Sequence, residues 1–166
     1  MRNKIFLTIF SIIIPFTPAL AGDSKSVTLH GYGEVHSNNT INGSRKLDLH
    51  RTVIGVGADF SDKIHYSMEV DFEHSFAEPE LEFAYVDLKI NPNLTIRAGD
   101  MLMPVGSLNE FHEPPLFWSV ERPYLHKDII PTTWQAIGGG PVVSLLDQTL
   151  NFRIYMVNGM DGFKIR

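Results

Sequence analysis

The chain has 166 residues, no cysteine, 20% charged residues and a formal net charge of −5. The absence of cysteine excludes disulfide bonds, and the acidic balance argues against nucleic acid or an anionic membrane surface as a partner. Beyond the first 21 residues, no apolar run is long enough to form a membrane-spanning helix, so any entry into a membrane has to use strands.

Residues 1–21 have the features of a secretory signal peptide. Two basic residues precede an apolar segment (5–16), and small residues lead up to Ala21. The apolar segment is short for a transmembrane anchor, which needs roughly 20 residues. We therefore predict that the chain is exported and that the signal peptide is cut after Ala21, which leaves 22–166 as the mature part.

Seven segments of the mature part alternate between apolar and polar residues, as β-strands do. In KIHYSMEVDFEH (63–74), the apolar side chains from Ile64 to Phe72 occupy the even positions and the polar ones occupy the odd positions. The remaining predicted strands are 27–36, 47–60, 80–90, 93–103, 136–146 and 149–159. Most of these strands span about 9 to 12 residues, which suits a membrane crossing by a strand.

Three of the predicted strands contain an irregularity. In 47–60, the phase of Leu47 and Leu49 disagrees with that of Ile54, so we predict a β-bulge or a rim near Arg51. In 80–90, two apolar phases compete and the pattern does not decide between them. In the glycine-rich strand 136–146, Pro141 fits best where no hydrogen-bond donor is needed.

The connections between the strands alternate between short and long. Tight turns are predicted at 61–63, 91–93 and 146–148, and loops at 37–45, 75–80 and 104–134. An up-and-down membrane barrel has this asymmetry, because its turns lie on one side of the membrane and its long loops on the other. We therefore predict an all-β, antiparallel, up-and-down transmembrane β-barrel whose apolar face meets lipid. A soluble exported β-sandwich shows the same alternation and stays an alternative.

Residues 48–134 resemble a known family. The stretches DLHRTVIGVGADFSDKIHYSMEVDFEH, ELEFAYVDLKINPNLTIRAGDMLMPVGSLNEFHEPPLFWSVERP and IIPTTW are similar to the phosphate-selective porin O/P-like family of Gram-negative outer membranes. The loop from PVGSLNEFHEPP to IIPTTW is its densest part. The resemblance implies a large antiparallel barrel, often a homotrimer, with loops folded into the pore.

The chain departs from that family in two respects. It is shorter than family members, and seven predicted strands is an odd number, so we expect it to be the N-terminal part of a larger porin-type barrel. Phosphate selectivity in the family rests on a ladder of arginines and a lysine cluster. Here the inward candidates include not only arginines but also several acidic residues, so a phosphate-specific pore is not predicted.

Charged residues on the polar faces of the strands are the candidates for the lining of the pore. They are Glu34, Arg51, His65, Glu69, Asp71, Glu73, Arg97 and Arg153. We expect a mixed wall in which Arg51 and Arg97 pair with the acidic residues of neighbouring strands. A specific metal site is not predicted, because the number of ligands cannot be read from one strand.

The segment 104–134 is the predicted constriction or plug loop, because long ordered loops in compact folds are usually functional. Its candidate residues are Glu110, His112, Glu113, Trp118, Glu121 and Arg122. The alternative is an extracellular cap that packs on itself. A zinc protease site is not expected in EFHEPP (110–115), because a second histidine is missing and two prolines end any helix.

The predicted function is a channel in the cell outer membrane that passes small hydrophilic solutes or ions by passive diffusion. The expected partners are outer-membrane lipid, these solutes or ions, and further copies of the chain in a homotrimer. No cofactor, catalytic residue or enzyme activity is predicted. An outer-membrane hydrolase stays an alternative: His50 and His74 fall near the rims, but no serine is marked by its spacing.

Overall fold

A computed structural model of the chain describes residues 5–8, 26–39, 45–74, 78–106, 109–116 and 133–159. These residues form one antiparallel sheet, in which each strand from β1 to β8 pairs with the next along the chain. The strands are β1 (Ile5–Thr8), β2 (Ser26–Asn39), β3 (Arg45–Ser61), β4 (Ile64–Glu73), β5 (Glu78–Asn91), β6 (Leu94–Leu102), β7 (Gln135–Leu145), β8 (Leu150–Arg153) and β9 (Met156–Val157). β9 pairs with β7 next to β8.

The protein is therefore all-β with an up-and-down topology. The described sheet is open, with β1 at one edge and β8 and β9 at the other. The helical structure of the described residues is a single 3-10 turn at Pro114–Leu116. None of the helices described is long and apolar enough to cross a membrane.

Six of the seven predicted strands and the three predicted tight turns are confirmed, whereas the predicted strand 149–159 divides into β8 and β9. The turns lie at 62–63, 92–93 and 146–149, where β3, β5 and β7 each reverse into the following strand. Three strands are longer than predicted, because β2, β3 and β5 have 14, 17 and 14 residues. These strands continue into the segments predicted as loops 37–45 and 75–80, since backbone pairing extends past the alternating part of the sequence.

β1 falls within the predicted signal peptide and pairs with the far end of β2, from His36 to Asn39. The rest of residues 1–21 lies outside the described residues. Cleavage after Ala21 stays a prediction.

Two register shifts account for the irregular strands. Glu34 lies opposite Arg51 and Val35 lies opposite Leu49, so His50 is an extra residue in β3, and the predicted bulge near Arg51 is confirmed. In β5, Phe83 lies opposite Glu69 and Leu81 opposite Val70, which leaves Glu82 extra. This second bulge explains why two phases compete in the sequence of β5.

Pro141 marks a break in the pairing of β7 with the last two strands. β8 pairs with Val142 to Leu145 and β9 pairs with Gly138 and Gly139. The interruption falls at Gly140 and Pro141, where the proline has no N–H to donate.

The two faces of the sheet differ sharply. Direct cross-strand neighbours share a face, and the register places on one face, the charged face, His30, Glu34, Arg51, Asp59, His65, Glu69, Asp71, Glu73, Asp87 and Arg97. The opposite, apolar face carries Leu29, Ile54, Phe60, Ile64, Val86, Leu88, Ile137 and Phe152, all of which are exposed. Asp100 is the exception that the register places on the apolar face of β6.

The buried apolar cluster of the described residues lies on the charged face and not on the apolar one. Met101, Met103 and Ala136 form its centre, and Tyr85, Trp134, Tyr155 and Val157 pack around it. This cluster supports the two ends of the segment that leaves β6 and returns to β7. Residues 109–116 of that segment in turn cover part of the charged face.

Candidate functional site

The centre of the charged face is an acidic cluster under the segment that follows β6. Glu69 and Asp71 of β4 and Glu82 of β5 are 4%, 1% and 5% exposed. Carboxylates are rarely buried to this extent unless they are paired. The cost of burying these three carboxylates is therefore offset by the cations and hydrogen-bond donors around them.

Arg51 is the main cation of the cluster. The bulge at His50 places it between Glu34 and Glu73 in the register. Its Nε lies 3.0 Å from Asp71 Oδ2, and its Nη2 contacts Glu73 Oε1. The Nε contact is an ion pair without a hydrogen bond. One guanidinium thus serves two carboxylates.

His30 reaches the cluster across an intervening strand. Its Nε2 lies 3.7 Å from Glu69 Oε2, although His30 belongs to β2 and Glu69 to β4. Gly55 of β3 lies between them in the register, and a Cβ atom there would come within 2.1 Å of His30 Nε2. The glycine therefore leaves the space in which the imidazole approaches the carboxylate.

Arg97 forms a separate pair further along the sheet. Its Nε and Nη2 donate to Asp87 Oδ1 and Oδ2, both at 2.8 Å, and its guanidinium lies 3.9 Å from the centre of the Tyr85 ring. Bidentate pairing and ring stacking fix the side chain. Arg51 pairs with acids of the neighbouring strand as predicted, whereas Arg97 pairs with Asp87, which the sequence interpretation did not select.

Asn109 holds the described residues after β6, 103–106 and 109–116, onto the sheet. This side chain is fully buried, and its Nδ2 donates to the carbonyl oxygens of Met103 (2.7 Å) and Trp134 (2.9 Å). Its Oδ1 accepts from the Trp134 N–H at 2.9 Å. Asn109 therefore joins the point where the chain leaves β6 to the point where it returns toward β7.

Three charged residues of this segment point toward different strands of the charged face. Glu110 contacts Arg153 of β8, and His112 Nε2 lies 3.3 Å from Glu82 Oε2 of β5. Glu113 lies near Glu69 of β4, and the two carboxylates repel each other. The segment thus crosses the sheet from β8 to β4.

His112 is oriented by a contact within its own segment. Its Nδ1 lies 2.8 Å from the carbonyl oxygen of Asn109, which can only accept, so Nδ1 is the donor of this hydrogen bond. Its Nε2 approaches Glu82 Oε2 at 3.3 Å without forming a hydrogen bond. The side chains of His112 and Glu82, 4% and 7% exposed, are therefore a buried pair held at ion-pair distance.

We expect Asn109→Ala to loosen this segment. Three hydrogen bonds are lost and the Trp134 N–H loses its partner, whereas the Met103 and Trp134 carbonyls each keep a backbone donor. We expect a cost of about 1–3 kcal/mol. Limited proteolysis should then cut within 104–134 faster than in the unchanged protein. Asn93→Ala, in the exposed turn before β6, is the control and should not change the rate. Equal cleavage of the Asn109 variant and the unchanged protein would contradict the role of Asn109.

The predicted pore-lining residues do not form one group. Arg51, Glu69, Asp71 and Glu73 come together, and Glu34 adjoins Arg51. His65 lies at the short-turn end, Arg97 is paired with Asp87, and Arg153 contacts the loop. Of the loop candidates, Glu110, His112 and Glu113 face the sheet, whereas Trp118, Glu121 and Arg122 lie outside the described residues.

Sequence interpretation missed Glu82, Asn109, Asp87 and His30. Glu82 had a signal, because the competing phases in β5 mark the bulge that turns it toward the charged face. Asp87 and His30 lie on the charged face like the selected residues. Nothing in the sequence shows which partners they meet there. No pattern in the sequence distinguishes Asn109 from other loop residues.

Comparison with known proteins gives one similar chain. No family model matches this sequence, and no solved structure matches it. An uncharacterized protein of Aquifex aeolicus (strain VF5) is 40% identical over 147 residues, which cover 82% of this chain and 33% of that protein. The chain therefore spans about a third of the length of the curated relative that it matches.

Proposed function

We propose that the chain forms part of the wall of an outer-membrane β-barrel that admits small hydrophilic solutes by passive diffusion, with a preference for cations. The burial pattern carries the proposal. Glu69, Asp71 and Glu82 are at most 5% exposed, whereas Ile54 and Ile137 on the opposite face are 41% and 64% exposed. A lipid environment favours this arrangement, because a charge on the lipid face costs up to about 2–4 kcal/mol near the midplane.

The soluble β-sandwich fits the same observation less well. In a sandwich, the apolar faces of two sheets pack on each other about 10 Å apart and form the core. Among the described residues, no second layer covers the apolar face, and the buried apolar cluster lies on the charged side. Lipid as the partner of the apolar face accounts for both facts.

The charge of the covered site favours cations over anions. Five carboxylates belong to it, and one arginine and two histidines oppose them; the carboxylates are Glu69, Asp71, Glu73, Glu82 and Glu113. Rings of carboxylates in a pore attract cations. A phosphate-selective pore is less favoured, because Arg51, Arg97 and Arg153 each pair with a carboxylate.

The segment after β6 is proposed to narrow the pore. Its contacts with β8 and β5 hold it over the charged face, and Asn109 joins its two ends. Such a segment restricts the size of the solutes and brings Glu113 toward the wall. An extracellular cap that packs on itself would not need these contacts with strands.

A hydrolase is the second candidate, because one arrangement resembles a catalytic triad. His65 Nδ1 lies 2.6 Å from Asp59 Oδ1, and its Nε2 lies 3.0 Å from the Ser67 hydroxyl. Ser67, however, is paired on both sides, with Gly57 and Tyr85, so its strand leaves little free backbone N–H for an oxyanion hole. Covalent labelling of Ser67 by a fluorophosphonate would favour the hydrolase over the channel.

Ion-channel recording tests the proposal. The protein is extracted with detergent from outer membranes and reconstituted in a planar bilayer under a potassium chloride gradient. We expect stable conductance steps and a reversal potential of the sign that cation preference requires. Absence of steps from protein that is verified to be in the outer membrane would refute the channel, and an anion-selective reversal potential would refute the charge argument.

A further inference from the structure

Three histidines from three neighbouring strands converge at the long-loop end of the charged face. They are His36 of β2, His50 of β3 and His74, directly after β4. The rings of His36 and His50 are stacked with their centres 4.0 Å apart, and the ring of His74 stands edge-on to that of His50 at 5.3 Å. These imidazoles lie far apart in the sequence, so only the pairing of the strands brings them together.

Two carboxylates complete the group. Asp48 Oδ2 lies 3.6 Å from His50 Nδ1 and 3.4 Å from His74 Nδ1. The second carboxylate is Glu34, so that Glu34, His36 and His50 form one set of three and Asp48, His50 and His74 form another. Within each set, the potential ligand atoms lie within 4.8 Å of one another. His50 belongs to both sets.

The backbone contributes to this convergence at two points. His50 is the extra residue of the β3 bulge, which turns its side chain toward the charged face. His74 has a left-handed conformation, with φ of 46°, which a residue other than glycine adopts at a cost, and its N–H donates to the His50 carbonyl oxygen at 3.0 Å. The bulge at His50 and the strained backbone of His74 thus help to place these two imidazoles next to each other.

We propose that this cluster is a binding site for a divalent transition-metal ion of the zinc type, with Asp48, His50 and His74 as its main ligands. Imidazole nitrogens with one carboxylate suit Zn²⁺, Ni²⁺ or Cu²⁺, whereas Ca²⁺ and Mg²⁺ prefer oxygen ligands alone. Ligands of a tetrahedral zinc ion lie about 3.3 Å apart, given bond lengths of about 2.0–2.1 Å. The distances from Asp48 to the two histidines are already close to this value.

The site goes beyond the proposed channel and does not depend on it. Its residues belong to three adjacent strands, so metal binding needs no closed pore. Because both sets use His50, one ion at a time is expected to bind. Sequence analysis did not predict a metal site, since each strand alone supplies too few ligands.

Titration calorimetry with Zn²⁺ on the detergent-solubilised chain tests the proposal. We expect one Zn²⁺ per chain and no comparable binding of Ca²⁺. His50→Ala removes a ligand from both sets, so its affinity should fall more than about 100-fold, beyond the 10–100-fold typical of outer-shell changes. His74→Ala should weaken binding less, because Glu34, His36 and His50 remain.

His65→Ala is the matched control, because His65 lies on β4 at the opposite, short-turn end. It should bind Zn²⁺ as tightly as the unchanged protein. Where His50→Ala does not fold, as judged by circular dichroism, the double variant His36→Ala/His74→Ala replaces it, with the same expected loss. Absence of Zn²⁺ binding by the unchanged protein, or equal losses in the His65 and His50 variants, would overturn the proposal.

Discussion

Replacing Glu69 and Glu113 together by lysine is expected to reverse the ion preference of the proposed channel. Glu69 lies on the charged face of β4 and Glu113 in the segment above it, and the two carboxylates repel each other. A unit charge 4 Å from an ion contributes about 1 kcal/mol even in bulk water. Each change from glutamate to lysine therefore alters the energy of a passing cation by about 2 kcal/mol, and two such changes outweigh the native preference.

The measurement is the reversal potential of single channels under a potassium chloride gradient. Asp62→Lys, in the exposed turn between β3 and β4, makes the same change of charge outside the site and should leave the potential unchanged. Because a buried lysine at 69 strains folding, Glu69→Gln provides a milder form of the test and should reduce the cation preference. An unchanged potential in all the Glu69 and Glu113 variants would show that these residues do not line the ion path.

Replacing Arg51 by methionine is expected to cause the largest loss of stability among single substitutions in the site. The change leaves Asp71, whose side chain is 2% exposed, and Glu73 without their guanidinium partner. Removal of one member of a buried ion pair typically costs about 3–5 kcal/mol, since the remaining charge stays buried. Urea unfolding in lipid vesicles, followed by tryptophan fluorescence, measures the difference.

Two comparisons separate this cause from a general loss of packing. Arg97→Met should cost less, because Arg97 and Asp87 are more exposed, at 23% and 19% of their side-chain surface. The triple variant Arg51→Met/Asp71→Asn/Glu73→Gln should recover part of the loss, because it removes the uncompensated charges. A triple variant less stable than Arg51→Met would mean that packing of the arginine, and not its charge, stabilises the sheet.

The two predictions address different properties of the same site. Arg51 neutralises the acids on the β3 side, so Asp71 and Glu73 contribute mainly to stability. Among the described residues, Glu69 has a long contact with His30 at 3.7 Å, also interacts with His112, and lies close to further carboxylates. Ion preference is therefore expected to respond to Glu69 more than to Asp71.

The fold and its two faces could be read from the sequence. Alternation from Ile64 to Phe72 assigns every side chain of β4 to a face, because successive residues of a strand point in opposite directions. The disagreement between the phases of Leu49 and Ile54 located the bulge at His50. Tight turns followed from short groups of turn-forming residues between strands.

What only the tertiary structure decided is which of these side chains meet. His36, His50 and His74 are apart in the chain and converge through two strand registers and a bulge, and Asn109 and His112 find their partners across the sheet. The alternation of a strand is a local property, because it can be read from residues that are neighbours in the sequence. Contacts between strands and loops depend on the strand register and on the path of the chain. Both are set by the burial of many residues at once, so no single stretch of sequence determines these contacts.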